Sequence, residues 1–274
     1  MGSKAANKTS ELFVKMDLGI KDKRVLVTGA SQGIGRAIAL AFAKEECKVS
    51  VVSRRKEQLE KVVEEMGGLE KGHDYYVANL MDPGNPTRVA KDLLERNFGC
   101  DIVVHNVGGT LEVRDIISPV EDWEKVWMYN AGIPIEMNRI LIPPMKEQKW
   151  GRIIHISSIS AVGLRGCGPY GAAKAYLNAY TNVLGKAVAK DGIVVSAIMP
   201  GSIYAPLGPW DENSEKNKND KAAFYKKKDD FLWHHQAIGR LGEAEEIAPF
   251  AVFLASNQAS FATGAIVPVD GGTE

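Results

Sequence analysis

The stretch RVLVTGASQGIGRAIALAFAKEE, residues 24–46, carries three signals in succession. Val25, Leu26 and Val27 make a short β-rich run, glycines at 29, 33 and 35 interrupt it, and beyond them the apolar residues recur with a helical period. A strand, a glycine turn and a helix in that order form the setting in which a phosphate-binding turn works. Glycine lets the backbone bend towards a pyrophosphate, and the N–H groups and dipole of the helix start attract its charge. Gly29, Ser31, Gln32, Gly33, Ile34 and Gly35 are therefore candidate nucleotide contacts. A merely tight structural turn is the alternative, and the order of the elements that follow weighs against it.

Downstream the same alternation repeats. KVSVVSR (48–54) precedes KEQLEKVVEEM (56–66), and DYYVANL (74–80) precedes a helix opened after Pro83. DIVVHNVGG (101–109) precedes a long segment at 119–149, GRIIHISS (151–158) precedes a helix over 168–190, and IVVSAIMPG (193–201) closes the series. The strands are nearly continuous apolar runs, as in a parallel sheet covered on both faces. Right-handed crossovers then predict an α/β, single-domain Rossmann fold. It is a doubly wound parallel sheet with ligands at the carboxyl ends of its strands. GEAEEIAPFAVFLAS (242–256) reads as a capped amphipathic helix and GAIVPVDGG (264–272) as a last strand. Residues 202–238 break the rhythm: they are polar and lysine-rich, with Trp210, Phe224, Tyr225, Phe231 and Trp233 among them, and are expected to form a substrate lid. Residues 1–16 are expected to be a flexible N-terminal extension, and 17–274 the domain.

The 274 residues carry 34 basic and 34 acidic side chains, so no global charge favours nucleic acid or an anionic membrane. Cys47, Cys100 and Cys167 form no CxxC pair, and none of the five histidines forms a metal motif, so no metal is expected. No secretory signal or membrane span is legible, which predicts a soluble, cytoplasmic protein acting on a small molecule.

Two further stretches bear on chemistry. The second strand ends in Ser53, Arg54 and Arg55 rather than in an acidic residue. An acidic side chain there would bind a ribose 2′-OH and repel a 2′-phosphate, whereas guanidinium groups pair with phosphate; NADP(H) is thus expected over NAD(H). Arg55 has a second reading as part of a solvated helix-start face. In SSISAVGLRGCGPYGAAKAY (157–176), Tyr170 and Lys174 stand four apart on one helix face, so the ammonium can favour the phenolate of a tyrosine that ordinarily titrates near pH 10. Ser158 ends a strand, at the edge where ligands gather, while Ser157 reads as a backbone-capping hydroxyl. Arg165 and Cys167 read as pocket residues, His234 and His235 as possible substrate contacts in the lid, and the run Lys226–Lys228 as a solvated face.

These motifs, in this order, resemble the classical branch of the short-chain dehydrogenase/reductase family and its 3-oxoacyl-acyl-carrier-protein reductase-like group, over about residues 17–274. The family's Thr-Gly-x-x-x-Gly-x-Gly is met by Thr28 to Gly35, its Asn-Asn-Ala-Gly by HNVG at 105–108, and its Ser and Tyr-x-x-x-Lys by Ser158, Tyr170 and Lys174. A helix Asn is matched by Asn130, a Pro-Gly by Pro200 and Gly201, and a closing Val-Asp-Gly-Gly by residues 269–272. The resemblance implies a ketoreductase or alcohol dehydrogenase in which Tyr170 is the general acid and base, Ser158 orients the carbonyl, Lys174 holds the nicotinamide ribose, and Asn130 fixes a proton-relay water. It further implies cofactor contacts at Asn79, Leu80, Asn106, Gly108, Pro200, Gly201 and Ile203, and a homotetramer or dimer. Three positions depart from the pattern: Asn79 replaces an Asp near the adenine, His105 and Val107 replace Asn and Ala, and Ala205 stands where a Thr would meet the carboxamide. Two other readings remain. An epimerase or dehydratase of the extended branch would have a different glycine spacing and a larger C-terminal domain. A non-catalytic dinucleotide-binding regulator would have no need of the intact Ser, Tyr, Lys and Asn set.

Overall fold

The computed structural model describes residues 16–97, 99–163, 168–206, 210–215 and 217–273. The expectation for residues 1–16 falls, except for Met16, outside the described residues, as do those for Arg165 and Cys167. Strands β1 (Arg24–Thr28), β2 (Lys48–Ser53), β3 (Asp74–Val77), β4 (Ile102–His105), β5 (Gly151–Ile156), β6 (Ile193–Pro200) and β7 (Ile266–Val269) form one sheet in the order β3-β2-β1-β4-β5-β6-β7. Every pairing is parallel. The apolar runs of the sequence are the central strands: β5 and β6 are buried along their whole length.

Two cores flank the sheet. Alternate side chains of one face, among them Val25, Val27, Val104, Ile154 and Ile198, pack against α1 (Gly33–Lys44), α2 (Lys56–Glu65) and α8 (Ala244–Ala255). The opposite set, including Leu26, Val103, Ile153 and Val195, packs against α3 (Asn85–Asn97), α5 (Ile133–Glu147) and α6 (Gly168–Val188). The strand order reverses between β1 and β4, which opens a crevice at their carboxyl ends.

The long segment 119–149 differs from a single helix. It divides into α4 (Val120–Trp127) and α5, joined by a π-helical turn over Met128–Gly132 that buries Asn130. An extra residue per turn re-aims the side chains that follow, which is how such turns come to mark sites. Residues 202–238 also hold regular structure, α7 (Lys221–His235), begun by the Asp220 carboxylate accepting the Ala223 N–H. Trp210 packs on Phe231 with ring centroids 4.4 Å apart and ties the preceding loop to this helix. Among the described residues no helix is long and apolar enough to cross a membrane.

His105 and His155 occupy paired positions on β4 and β5 and stack with centroids 5.4 Å apart, both wholly enclosed. His105 Nε2 meets Asn138 Oδ1 at 2.8 Å, and His155 Nδ1 meets Thr181 Oγ1 at 2.8 Å. Burial holds the His105 imidazole down at about 4 and His155 well below its ordinary range. The unfolded chain takes up protons at these rings near pH 6.5 while the folded chain resists, so stability falls as pH drops from about 6.5 towards 4. Urea unfolding followed by circular dichroism should show a loss of about 2 kcal/mol through His105 between about pH 7 and pH 5, with a further loss through His155. His105→Asn should remove its share of that loss; a midpoint indifferent to pH in the wild type would contradict neutral buried rings.

Candidate active site

After Thr28 the chain turns through Gly29 and Gly33, at φ of +66° and +56°, the left-handed region that glycine enters without penalty. A Cβ at Gly33 would meet nothing within 4 Å, so this backbone faces open space at the start of α1. At Gly35 a Cβ would lie 2.5 Å from both the Gly29 carbonyl and Asn106 Nδ2. Gly35 thus serves close packing of α1 on the sheet and does not form part of the cleft wall, unlike the other glycines of the motif.

The crevice is a cleft of about 460 Å3, within the usual size range for small-molecule and cofactor pockets. Gly29, Ser31, Gln32, Gly33 and Ile34 line it at the glycine turn, Ser53, Arg54 and Arg55 beyond β2, and Asn79 and Leu80 beyond β3. Asn106 and Gly108 line it beyond β4, and Ser158, Tyr170, Lys174, Pro200, Gly201 and Ile203 at the far end. All the positions expected to contact the cofactor or to act in catalysis, except Gly35 and Asn130, therefore share one continuous surface. Arg55 leans across it: its Nη2 donates to Ser31 Oγ at 3.3 Å and its backbone N–H to Ser53 Oγ at 3.2 Å. That geometry favours the cleft-facing reading of Arg55 over a purely solvated one. The backbone N–H groups at the start of α1, hydroxyls and two guanidinium groups at this end fit a phosphorylated nucleotide.

At the other end Tyr170 stands in the first turn of α6 and Lys174 one turn later. Lys174 is buried; its Nζ donates to the Ile156 carbonyl at 2.7 Å and lies 5.7 Å from the Tyr170 ring centroid. Burial pulls the ammonium down to about 7. Gly108 makes the approach possible, because a Cβ there would fall 2.6 Å from Asn130 Oδ1 and 3.1 Å from Lys174 Nζ.

Both serines bond to the backbone, in opposite senses. Ser158 Oγ accepts the Ser160 N–H at 3.1 Å, whereas Ser157 Oγ donates to the Lys174 carbonyl at 3.4 Å. Accepting that bond leaves the Ser158 hydroxyl proton available to a substrate oxygen. Asn130 lies behind the wall: Oδ1 accepts the Gly109 N–H, and Nδ2 donates to the Gly109 and Val126 carbonyls. Its side chain braces the turn that presents Gly108. Tyr129 and Tyr204 also line the cleft and were not anticipated, although each adjoins a motif residue, Asn130 and Ile203. His234 and His235 line a separate cavity with Asp229 and Trp233. Lys226 and Lys227 stand exposed on α7.

A cleft at the reversal of a doubly wound parallel sheet, with a glycine turn at one end and a Ser, Tyr and Lys at the other, defines a class, that of Rossmann-fold oxidoreductases. A sequence model of the family described as Enoyl-(Acyl carrier protein) reductase matches residues 29–274. The chain is 34% identical over 260 residues to the 3-oxoacyl-acyl-carrier-protein reductase of Pseudomonas aeruginosa, covering 93% of this chain and 98% of that one. It is 31% identical over 254 residues to the enzyme of the same name from Thermotoga maritima, covering 92% and 98%. It also matches L-sorbose reductase of Gluconobacter frateurii, a structure complexed with NADPH and L-sorbose, at 31% identity and a TM-score of 0.86 over 94% of this chain and 98% of that one. The chain belongs to the short-chain dehydrogenase/reductase family and is an oxidoreductase.

Gly108→Ala should force Asn130 and Lys174 apart. We expect a loss of about 1–3 kcal/mol, read as a lower midpoint in thermal denaturation with the far-ultraviolet spectrum retained. Wild-type stability in this variant would show that the close approach is dispensable.

Proposed function

We propose that this chain is an NADP(H)-dependent ketoreductase or alcohol dehydrogenase, interconverting a small-molecule carbonyl and its secondary alcohol. The observation that carries this reading is one continuous cleft with Ser53, Arg54 and Arg55 at one end and Ser158, Tyr170 and Lys174 at the other. NADPH, when bound, supplies the hydride. Gly29 to Ile34 would hold the pyrophosphate, Arg54 and Arg55 the 2′-phosphate, and Asn106, Gly108, Pro200, Gly201 and Ile203 the nicotinamide half. The Ser158 hydroxyl donates to the substrate carbonyl oxygen and orients it. As the carbonyl carbon is reduced, Tyr170 delivers its proton to that oxygen, and the Lys174 ammonium stabilises the charge left on the phenol oxygen. In the oxidative direction the same groups run in reverse. The NADPH-bound structure of the L-sorbose reductase supports the cofactor assignment.

Tyr170→Phe should keep NADPH binding, read as the change in nucleotide fluorescence, and lose turnover by at least ~100-fold across β-ketoacyl thioesters, L-sorbose and other keto-sugars, and cyclic ketones. Full activity in that variant would end the mechanism. Arg54→Asp should reduce the NADPH over NADH preference by about tenfold or more, as loss of a charge-assisted bond implies; an unchanged preference would show the 2′-phosphate to be misplaced.

The Lys174 charge is present below about pH 7 and lost as pH rises through it. Since kcat/KM for NADPH reports groups of the free enzyme, it should fall on the alkaline side with that midpoint. Lys174→Arg should carry the limb to higher pH, and a flat wild-type profile up to about pH 9 would remove Lys174 from the charged role.

A further inference from the structure

The residues NLMDPGN, 79–85, follow β3 and turn into α3. Asn79 lines the cleft between Ala78 and Leu80, both buried. This inference rests on the NADP(H) reading above. With the pyrophosphate at the start of α1 and the 2′-phosphate beside Arg54 and Arg55 past β2, the base must lie one strand further out, over the end of β3. There the wall is apolar except for the amide of Asn79, so the edge that this amide presents decides which base is accepted.

An amide has a donor end and an acceptor end, and partners of mixed character let it turn over. Those of Asn79 have fixed character. Its Nδ2 donates to Asp82 Oδ1 at 2.7 Å, and a carboxylate only accepts; its Oδ1 accepts the Met81 N–H at 3.3 Å, and a backbone amide only donates. The arrangement continues outward. Asn85 Nδ2 donates to the Asn79 carbonyl at 2.9 Å and to Asp82 Oδ2 at 3.4 Å, while Arg88 donates from Nε and Nη2 to Asn85 Oδ1 at 3.2 and 3.1 Å. Arg88, a pure donor, thus sets Asn85, and Asn85 and Asn79 converge on Asp82.

We propose that Asp82 is a positioning residue for the adenine: it locks the Asn79 amide so that the second lone pair of Oδ1 accepts from the exocyclic amine of the base. A base with a carbonyl at that position meets acceptor against acceptor and is disfavoured, because two facing acceptors give up their bonds to water and gain none in return. The carboxylate stands three residues along the chain from Asn79 and acts on the base through it.

Deamino-NADPH, which carries hypoxanthine in place of adenine, reads this orientation directly. Wild-type enzyme should bind NADPH about tenfold more tightly than the deamino form in a fluorescence titration. Asp82→Ala frees the amide to turn over, and the preference should shrink to about twofold, with the change falling on Kd and on KM for NADPH rather than on kcat. Asn79→Asp sets two carboxylates in contact and should weaken NADPH binding. Asn79→Asp/Asp82→Asn restores a donor opposite a carboxylate and should recover both affinity and the preference, a rescue that a purely structural role for Asp82 would not produce. An undiminished preference in Asp82→Ala, or a double variant no better than Asn79→Asp alone, would overturn the proposal. Failure of the wild type to bind either nucleotide would instead overturn the cofactor reading on which it stands.

Discussion

The hydrogen bonds between Thr28 and Asn106 fix the point from which the site is built. Thr28 Oγ1 accepts the N–H groups of Asn106 and Val107 at 2.9 and 3.1 Å, and Asn106 Nδ2 returns bonds to the Thr28 and Gly29 carbonyls at 3.0 and 3.1 Å. They tie the ends of β1 and β4 together where the sheet reverses direction, after the ladder itself has stopped. A crevice there would otherwise expose unpaired backbone groups. The glycine turn, the approach of α1 through Gly35 and the path of the chain through Gly108 all take their position from this link, since a Cβ at Gly35 would strike Asn106 itself.

From Gly108 the constraint passes to charge. Lys174 is enclosed, and loss of solvent disfavours its charged form, while the Ile156 carbonyl and the face of Tyr170 beside it offset part of that cost. A lysine so placed costs stability. What that cost secures is a cation whose position is set by packed helix and strand rather than by a mobile side chain. The π turn that buries Asn130 is the counterpart on the other wall, with the amide satisfied on three sides so that Gly108 and Gly109 keep their path.

Much of this was legible in the chain because each central strand is a continuous apolar run and each motif residue sits at a strand end. Position along the sheet then follows from parallel topology, which places Ser53, Asn79, Asn106, Ser158 and Pro200 on one edge. Which way each residue faces was less legible. Gly35 and Asn130 belong to the right motifs yet lie behind the wall, because an extra residue in a helical turn and the crossing of α1 over β1 decide orientation after spacing has been fixed. The serine pair shows the same limit: adjacent hydroxyls differ only in which backbone group each finds. Helix α7 left little trace, since among its fifteen residues only Phe224 is buried and no apolar stripe marks a face.

The departures from the family pattern show how the fold absorbs change at its most constrained edge. Each is met locally rather than at a distance. Asn79 removes a carboxylate from the cleft, and Asp82 stands three residues later in contact with it. His105 puts an imidazole at the end of β4, and Asn138 and the stacked His155 receive it. Ala205 removes a hydroxyl beyond β6, where the backbone of Ile203 and Tyr204 is held by pairing with Gly242. A parallel sheet closed on both faces leaves little freedom in its strands, so variation collects in the few residues that follow each strand, within reach of partners on the next helix. Asn79 and Ala205 line the cleft, so a change compensated for stability there also alters what the cleft accepts, whereas His105 lies within β4 and out of the cleft.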